Sequence, residues 1–201
     1  MKIFCIGLNY REHIDEMKHF SFPDNPVIFM KPPTALLKDK QPLYYPDFSN
    51  DVHYEGEIVL KISKNGKKIE EKFAHKYYDS FSLGFDFTAR DIQADLKKKG
   101  WPWEIAKSFD QSACIGEFIP LDKEKNIDFT IKKNNILVQH GNTEMLIFSF
   151  DKIVSYVSQF FTLQQGDLIY TGTPKGVGSV AVGDILEGFV GEQKLLHCEV
   201  K

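Results

Sequence analysis

At 201 residues, with 42% apolar and 26% charged side chains, the chain has the composition of an ordinary globular protein and the length for one sizeable core, so a single domain over residues 1–201 is expected. Its 25 basic and 28 acidic residues leave a formal net charge of −3, which argues against nucleic acid or an anionic membrane surface as the main partner. Cys5, Cys114 and Cys198 are odd in number and lack metal-ligand spacing, no apolar run approaches a membrane span, and Met1-Lys2-Ile3-Phe4 leads into a strand pattern rather than a signal peptide, so a cytoplasmic location is expected.

Residues 2–8 read as a buried strand stopped by Gly7 and Asn9. Residues 9–17 have helix composition, with Asn9 as N-cap and with His13 and Glu16 three apart on one face. A carboxylate so placed can orient or charge an imidazole; the plain alternative is a solvated pair on a surface helix. The Phe22-Pro23-Asp24-Asn25-Pro26 cluster ends that segment, residues 27–30 form a short apolar strand, and Lys31-Pro32-Pro33 opens a stiff loop.

After a turn-rich stretch over residues 42–51 comes His53-Tyr54-Glu55-Gly56-Glu57, followed by the apolar run Ile58-Val59-Leu60. Glu55 and Glu57 are two apart, so on a strand they share a face with side chains about 7 Å apart. Two like charges beside a core are destabilising unless a cation neutralises them. Residues 64–67 then predict a hairpin with a tight Asn65-Gly66 turn, residues 74–80 a short helix, and residues 81–87 a second core strand that carries Asp86 near its end. Glu55, Glu57 and Asp86, with no thiolate or imidazole among them, suit a hard cation: Mg²⁺ first, then Mn²⁺ or Ca²⁺. The bland reading is two exposed strand glutamates and an aspartate near a turn.

Thr88-Ala89-Arg90-Asp91 reads as a capping-box-like helix start, and Gly100, after Lys97-Lys98-Lys99, as its stop; the basic run reads as a solvated helix end. Arg90 and Gln93 share a face of that helix and can bind a substrate carboxylate, or simply form an ordinary polar face. Lys107, in Ala106-Lys107-Ser108-Phe109, stands in an apolar setting where a lysine needs a partner, and a site with three carboxylates offers one. Residues 127–139 read as strand, turn at Lys133-Asn134-Asn135, strand. Residues 149–161 form an amphipathic helix, residues 168–170 a strand, and two closing strands cover residues 185–190 and 194–200. Between them, Thr171-Gly172-Thr173-Pro174-Lys175-Gly176-Val177-Gly178 packs glycines and hydroxyls into a loop where backbone N–H groups can approach an anionic oxygen, without Walker spacing.

Four segments carry a family resemblance: His53-Tyr54-Glu55-Gly56-Glu57, Gly84-Phe85-Asp86-Phe87-Thr88-Ala89-Arg90-Asp91, Trp103-Glu104-Ile105-Ala106-Lys107-Ser108-Phe109-Asp110 and Thr171-Gly172-Thr173-Pro174-Lys175-Gly176-Val177-Gly178. In this order, and across nearly the whole chain, they resemble the fumarylacetoacetate hydrolase family, in its short single-domain branch of acylpyruvate hydrolases and oxaloacetate decarboxylases. The resemblance implies a mixed, β-rich α+β fold, a rolled β-sandwich of that family's C-terminal-domain type, usually homodimeric. It puts a divalent metal on Glu55, Glu57 and Asp86, Lys107 beside it, and a lid whose His13 and Glu16 are the acid–base dyad. Arg90, Gln93, Thr173 and Gly172 then bind substrate.

The activity so implied is hydrolysis of a C–C bond in acylpyruvate-type 2,4-dioxo acids such as acetylpyruvate or fumarylpyruvate, through a pyruvate enolate stabilised by the metal. Oxaloacetate decarboxylation, or isomerisation of 2-hydroxyhepta-2,4-diene-1,7-dioate, needs the same enolate and is the alternative on the same site. A non-catalytic calcium-binding module is the competing reading of another class. A serine or cysteine nucleophile fits poorly, since no Gly-x-Ser-x-Gly elbow occurs.

Overall fold

The computed structural model describes residues 1–12, 22–37 and 41–201. In chain order the strands are β1 (Ile3–Gly7), β2 (Val27–Lys31), β3 (Leu36–Leu37), β4 (Val52–Tyr54), β5 (Gly56–Ile62), β6 (Tyr78–Asp86), β7 (Thr88–Ala89), β8 (Ala113–Ile115), β9 (Ile119–Pro120), β10 (Asp128–Lys133), β11 (Ile136–Asn142), β12 (Leu168–Tyr170), β13 (Gly178–Ser179), β14 (Ile185–Val190) and β15 (Gln193–Glu199). The helices are α1 (Glu71–Ala74), α2 (Arg90–Lys99), α3 (Glu104–Lys107) and α4 (Phe150–Phe160). The fold is sheet-rich α+β. Among the described residues an 8-stranded sheet runs β2-β1-β12-β5-β6-β8-β3, with β9 also on β6; a 4-stranded sheet runs β11-β10-β14-β15; a 3-stranded sheet runs β13-β4-β7. No described helix is long and apolar enough to cross a membrane.

Side-chain alternation explains how the large sheet buries both faces. Phe4 and Ile6 of β1, Ile58 and Leu60 of β5, and Leu83 and Phe85 of β6 join Phe129, Ile131, Leu186 and Leu196 of the 4-stranded sheet in the main core. The intervening positions, Ile3, Cys5, Val59 and Tyr170, form a smaller cluster on the opposite face. Glu57 and Asp86 have the parity of this second face, at the ends of β5 and β6 where Glu57 pairs with Gly84 and Asp86 with Ala113. At Gly84 a Cβ would meet the Cys114 carbonyl oxygen at 2.7 Å and the Tyr170 ring at 2.8 Å, so only glycine lets the strands close here.

Several local expectations form as read. Helix α4 starts at Ser149, whose side chain accepts from Lys152 N at 3.2 Å, and α2 stops at Gly100, left-handed with φ of 66°. Asn134 and Asn135 take φ of 51° and 65° in the turn between β10 and β11.

Four differ. There is no tight hairpin at Asn65-Gly66: Gly66 exchanges backbone hydrogen bonds with Leu163, at 3.0 and 2.8 Å, and Asn65 Oδ1 accepts from Gln165 N at 2.7 Å. The chain instead crosses through α1 to reach β6. The helix expected over residues 74–80 ends by Ala74, because Tyr78 already starts β6 and is buried, its hydroxyl donating to Asp151 at 2.8 Å. Asn9 does not cap through its side chain. It is fully buried, donates from Nδ2 to the carbonyls of Thr171 and Phe148 at 2.8 and 3.2 Å, and accepts from Phe148 N at 2.8 Å. Thr88 does not cap α2 either, since its hydroxyl is engaged by Lys107. Arg11 and Glu12 are helical, and the rest of the segment with His13 and Glu16 lies outside the described residues.

Candidate metal centre

Glu55 lies in the break between β4 and β5, Glu57 on β5 and Asp86 at the end of β6, where Asp86 N donates to the Glu55 carbonyl at 2.9 Å. Backbone pairing thus fixes the three side chains relative to one another. Each offers an oxygen within 4.8 Å of the others, and all three are buried. The Glu57 carboxyl is pushed well above the ordinary range, first by burial and then by the anions of Asp86 and Glu55, with Gly172 N–H opposing the shift. Gly172 N–H donates to Glu57 Oε2 at 2.7 Å. Gly172 sits at φ of 104°, with space for a Cβ taken by Asn9 Cβ at 2.7 Å, so glycine is required to bring that N–H in.

Lys107, on the last turn of α3, points its ammonium into the cluster. It donates to Glu55 Oε2 at 2.8 Å, Asp86 Oδ2 at 2.8 Å and Thr88 Oγ1 at 2.7 Å. Burial alone would lower its pKa, but Asp86 and Glu55 outweigh it and hold it above the usual value, so Lys107 is a fixed positive charge. Arg90 Nη2 donates to Glu55 Oε1 at 2.5 Å, and Nη1 to Gln93 Oε1 at 2.8 Å. Thr173 Oγ1 donates to the Gly56 carbonyl and accepts from Gln139 Nε2, both at 2.9 Å. Glu55, Glu57, Asp86, Arg90, Gln93, Lys107 and Thr173 all line one cleft, walled by Phe29 and Trp103.

Two lysines of this site escaped the sequence reading. Lys31, at the end of β2, is 1% exposed; its Nζ lies 2.8 Å from Asp86 Oδ1 and donates to Ser112 O and Oγ at 3.0 Å each, and to the Lys107 carbonyl. The signal was present: a lysine directly after an apolar strand needs a partner as much as Lys107 does. Lys97 also lines the cleft, although its neighbours Lys98 and Lys99 are exposed. Positions 90, 93 and 97 fall on one helix face.

The donor set fits a divalent cation. It is oxygen-only and anionic, and among the described residues Asp86 Oδ1 accepts no hydrogen bond despite being buried, its contact with Lys31 being one of charge without hydrogen-bond alignment.

The family model described as fumarylacetoacetate (FAA) hydrolase C-terminal matches residues 2–199. The mitochondrial oxaloacetate tautomerase FAHD1 of Bos taurus is 40% identical over 188 residues, 92% of this chain and 85% of the bovine protein. A mitochondrial oxaloacetate decarboxylase of Dictyostelium discoideum is 37% identical over 190 residues, 92% of this chain and 87% of that one. Among solved structures, fumarylpyruvate hydrolase from Pseudomonas aeruginosa in complex with Mn²⁺ and pyruvate superposes with a TM-score of 0.92 at 34% identity, covering 100% of this chain and 89% of that one.

Proposed function

Because the chain belongs to the fumarylacetoacetate hydrolase C-terminal family of enzymes, we propose that it acts on 2-oxo acids of the oxaloacetate class, moving a proton between C3 and the C2 oxygen so that keto and enol forms interconvert. The observation that carries this reading is the packing of Lys107 against Glu55 and Asp86 in a cleft that Arg90 and Gln93 also line. Glu55, Glu57 and Asp86 would hold a divalent cation, Mg²⁺ or Mn²⁺, which when bound supplies Lewis-acid polarisation of the keto oxygen. Lys107 adds a permanent positive charge beside the oxygen that gains charge as C3 loses its proton. Arg90, with donors beyond its bond to Glu55, and Gln93 orient the carboxylate next to the keto group. Gln139 and the Gly56 carbonyl fix the Thr173 hydroxyl at the cleft wall. Gly172 holds Glu57 in place. The His13–Glu16 dyad is proposed as the proton carrier.

The likeness to fumarylpyruvate hydrolase favours a second reading on the same groups. In it the dyad activates water, the water attacks the distal carbonyl of an acylpyruvate, and pyruvate leaves as its enolate. Decarboxylation of oxaloacetate, or isomerisation of an unsaturated 2-oxo diacid, draws on the same stabilisation without the attacking water. The proposal includes assembly as a homodimer, read out by light scattering. The deciding experiment follows oxaloacetate enol–keto conversion, oxaloacetate decarboxylation and acetylpyruvate hydrolysis side by side, with Mg²⁺, with Mn²⁺ and with chelator. Metal-dependent tautomerisation as the fastest reaction is the expected result; hydrolysis outrunning it would favour the second reading, and turnover of none would defeat both.

A further inference from the structure

Gln139 is a polar side chain at an inward-facing position of a strand. Its neighbours on β11, Val138 and His140, are half-buried and exposed, whereas Gln139 is 2% exposed and pairs with Ile131 of the main core. An amide buried there destabilises the sheet unless it finds partners. It finds them beside the metal cleft. Gln139 Oε1 accepts from Gly56 N at 2.9 Å, and Nε2 donates to Thr173 Oγ1 and to the Pro174 carbonyl, both at 2.9 Å. Thr173 Oγ1 in turn donates to the Gly56 carbonyl at 2.9 Å. Gly56, Gln139 and Thr173 thus close a ring of hydrogen bonds. The partners fix which way the amide faces, because Gly56 N–H can only donate and the Pro174 carbonyl can only accept.

The ring grips the metal ligands from behind. Gly56 is the residue between Glu55 and Glu57, and Thr173 follows Gly172, whose N–H holds Glu57. The surrounding backbone is shaped to admit the amide. Between the pairs Ile131–Gln139 and Lys132–Leu137, β11 has one residue more than β10, a bulge at Val138 of the kind that re-aims a neighbouring side chain. A Cβ at Gly56 would stand 2.5 Å from Ile131 Cγ1 and 2.9 Å from Gln139 Oε1, so glycine leaves the amide its place.

We propose that Gln139 is a positioning residue that sets the affinity of the metal site from a different sheet: by holding Gly56 and Thr173 in one ring, it keeps Glu55 and Glu57 in place relative to the loop that carries Gly172. This rests on the divalent-cation reading above and adds to it a residue that acts through Gly56 and Thr173. The ring also assigns the Thr173 hydroxyl. Gln139 Nε2 can only donate, so Thr173 Oγ1 accepts from it and gives its single proton to Gly56, with none left to donate to a ligand.

The test is calorimetry with Mn²⁺ alone, on the full chain without substrate, alongside thermal unfolding of each variant. Methionine matches glutamine in length but offers neither the acceptor nor the donors. Gln139→Met should weaken Mn²⁺ binding roughly 10-fold or more, the usual loss when a partner behind a metal ligand is removed. Thr173→Val opens the same ring at its other corner and should weaken Mn²⁺ similarly, while Thr173→Ser, which keeps the hydroxyl, should restore it. The double variant Gln139→Met/Thr173→Val should lose little more than either single one, because both break one ring. Unchanged Mn²⁺ affinity in a folded Gln139→Met, even with a lowered Tm, would overturn the assignment, and so would losses that simply add in the double variant. Where Gln139→Met does not fold, unchanged affinity in Thr173→Val overturns it equally. Wild type that binds no Mn²⁺ would defeat the metal reading, and this assignment with it. Affinities that shift as expected in a protein that turns over neither oxaloacetate nor acetylpyruvate would keep the positioning role and defeat the reaction reading instead.

Discussion

Lys31 and Lys107 divide the carboxylate of Asp86 between them: Lys31 Nζ lies 2.8 Å from Oδ1 and Lys107 Nζ 2.8 Å from Oδ2. The arrangement ties the end of β2 to the end of α3, since Lys31 also donates to the Lys107 carbonyl. Both lysines are almost without solvent, so neither charge can be left unpaired cheaply.

Lys31→Met should therefore lower the unfolding free energy by about 3–5 kcal/mol, the usual cost of removing one partner of a buried ion pair. Lys31→Arg should not rescue it, because the larger planar guanidinium must enter a fully buried slot. Urea denaturation measures both. A loss under about 1 kcal/mol in Lys31→Met would mean that Lys107 alone satisfies Asp86.

Metal should stabilise the fold as well as activate it. The triad confines three carboxylates within 4.8 Å, and burial with mutual repulsion already disfavours ionised Glu57. A cation at 100 times its dissociation constant contributes about 2.7 kcal/mol of stability, or roughly 5–10 °C in Tm for a chain of this size. Scanning calorimetry with Mg²⁺ or Mn²⁺ should show that rise, and Asp86→Asn should lose it. A rise of equal size in Asp86→Asn would place the cation elsewhere.

The triad was legible in the sequence from a local rule, that charge of one sign beside a core demands a cation; the strand period expected to align Glu55 with Glu57 does not hold, because Glu55 lies in the break between β4 and β5 and is tied instead by the Asp86 N bond to its carbonyl. The Arg90–Gln93 pairing was legible for the same reason, from helical spacing. Lys31 carried a signal of need, a lysine ending an apolar strand, but not the identity of its partners: Phe87, Lys107 and Ser112 are 56, 76 and 81 residues away and meet it only once β2, β6 and α3 have packed. Thr88 misled for the converse reason: the local pattern favours a cap, but the tertiary demand of the Lys107 ammonium for an acceptor prevails. At the level of the fold, alternation revealed most strands, whereas the parallel pairing of β1 with β12, which joins Ile3 to Leu168, is a matter of topology that no local pattern encodes.

The last prediction separates proton transfer from water activation at the proposed His13–Glu16 dyad. In the proposed scheme tautomerisation and acylpyruvate hydrolysis both draw on the charge of Lys107 and on Arg90 as a carboxylate partner, but only hydrolysis needs an attacking water. If the dyad's work is to activate water, His13→Ala should reduce acetylpyruvate hydrolysis by roughly 10²-fold or more, in line with loss of a general base. Oxaloacetate decarboxylation, which needs enolate stabilisation and no attacking water, should fall much less. Tautomerisation requires a carrier for the C3 proton, so if the dyad is that carrier its rate should fall in step with hydrolysis. Three rates measured on wild type and His13→Ala decide the matter. A fall in hydrolysis and tautomerisation with decarboxylation largely spared assigns proton carriage to the dyad. A fall in hydrolysis alone confines it to water. An equal fall in all three would mean that His13 acts in a step common to every reaction, such as positioning the substrate, and neither assignment would stand.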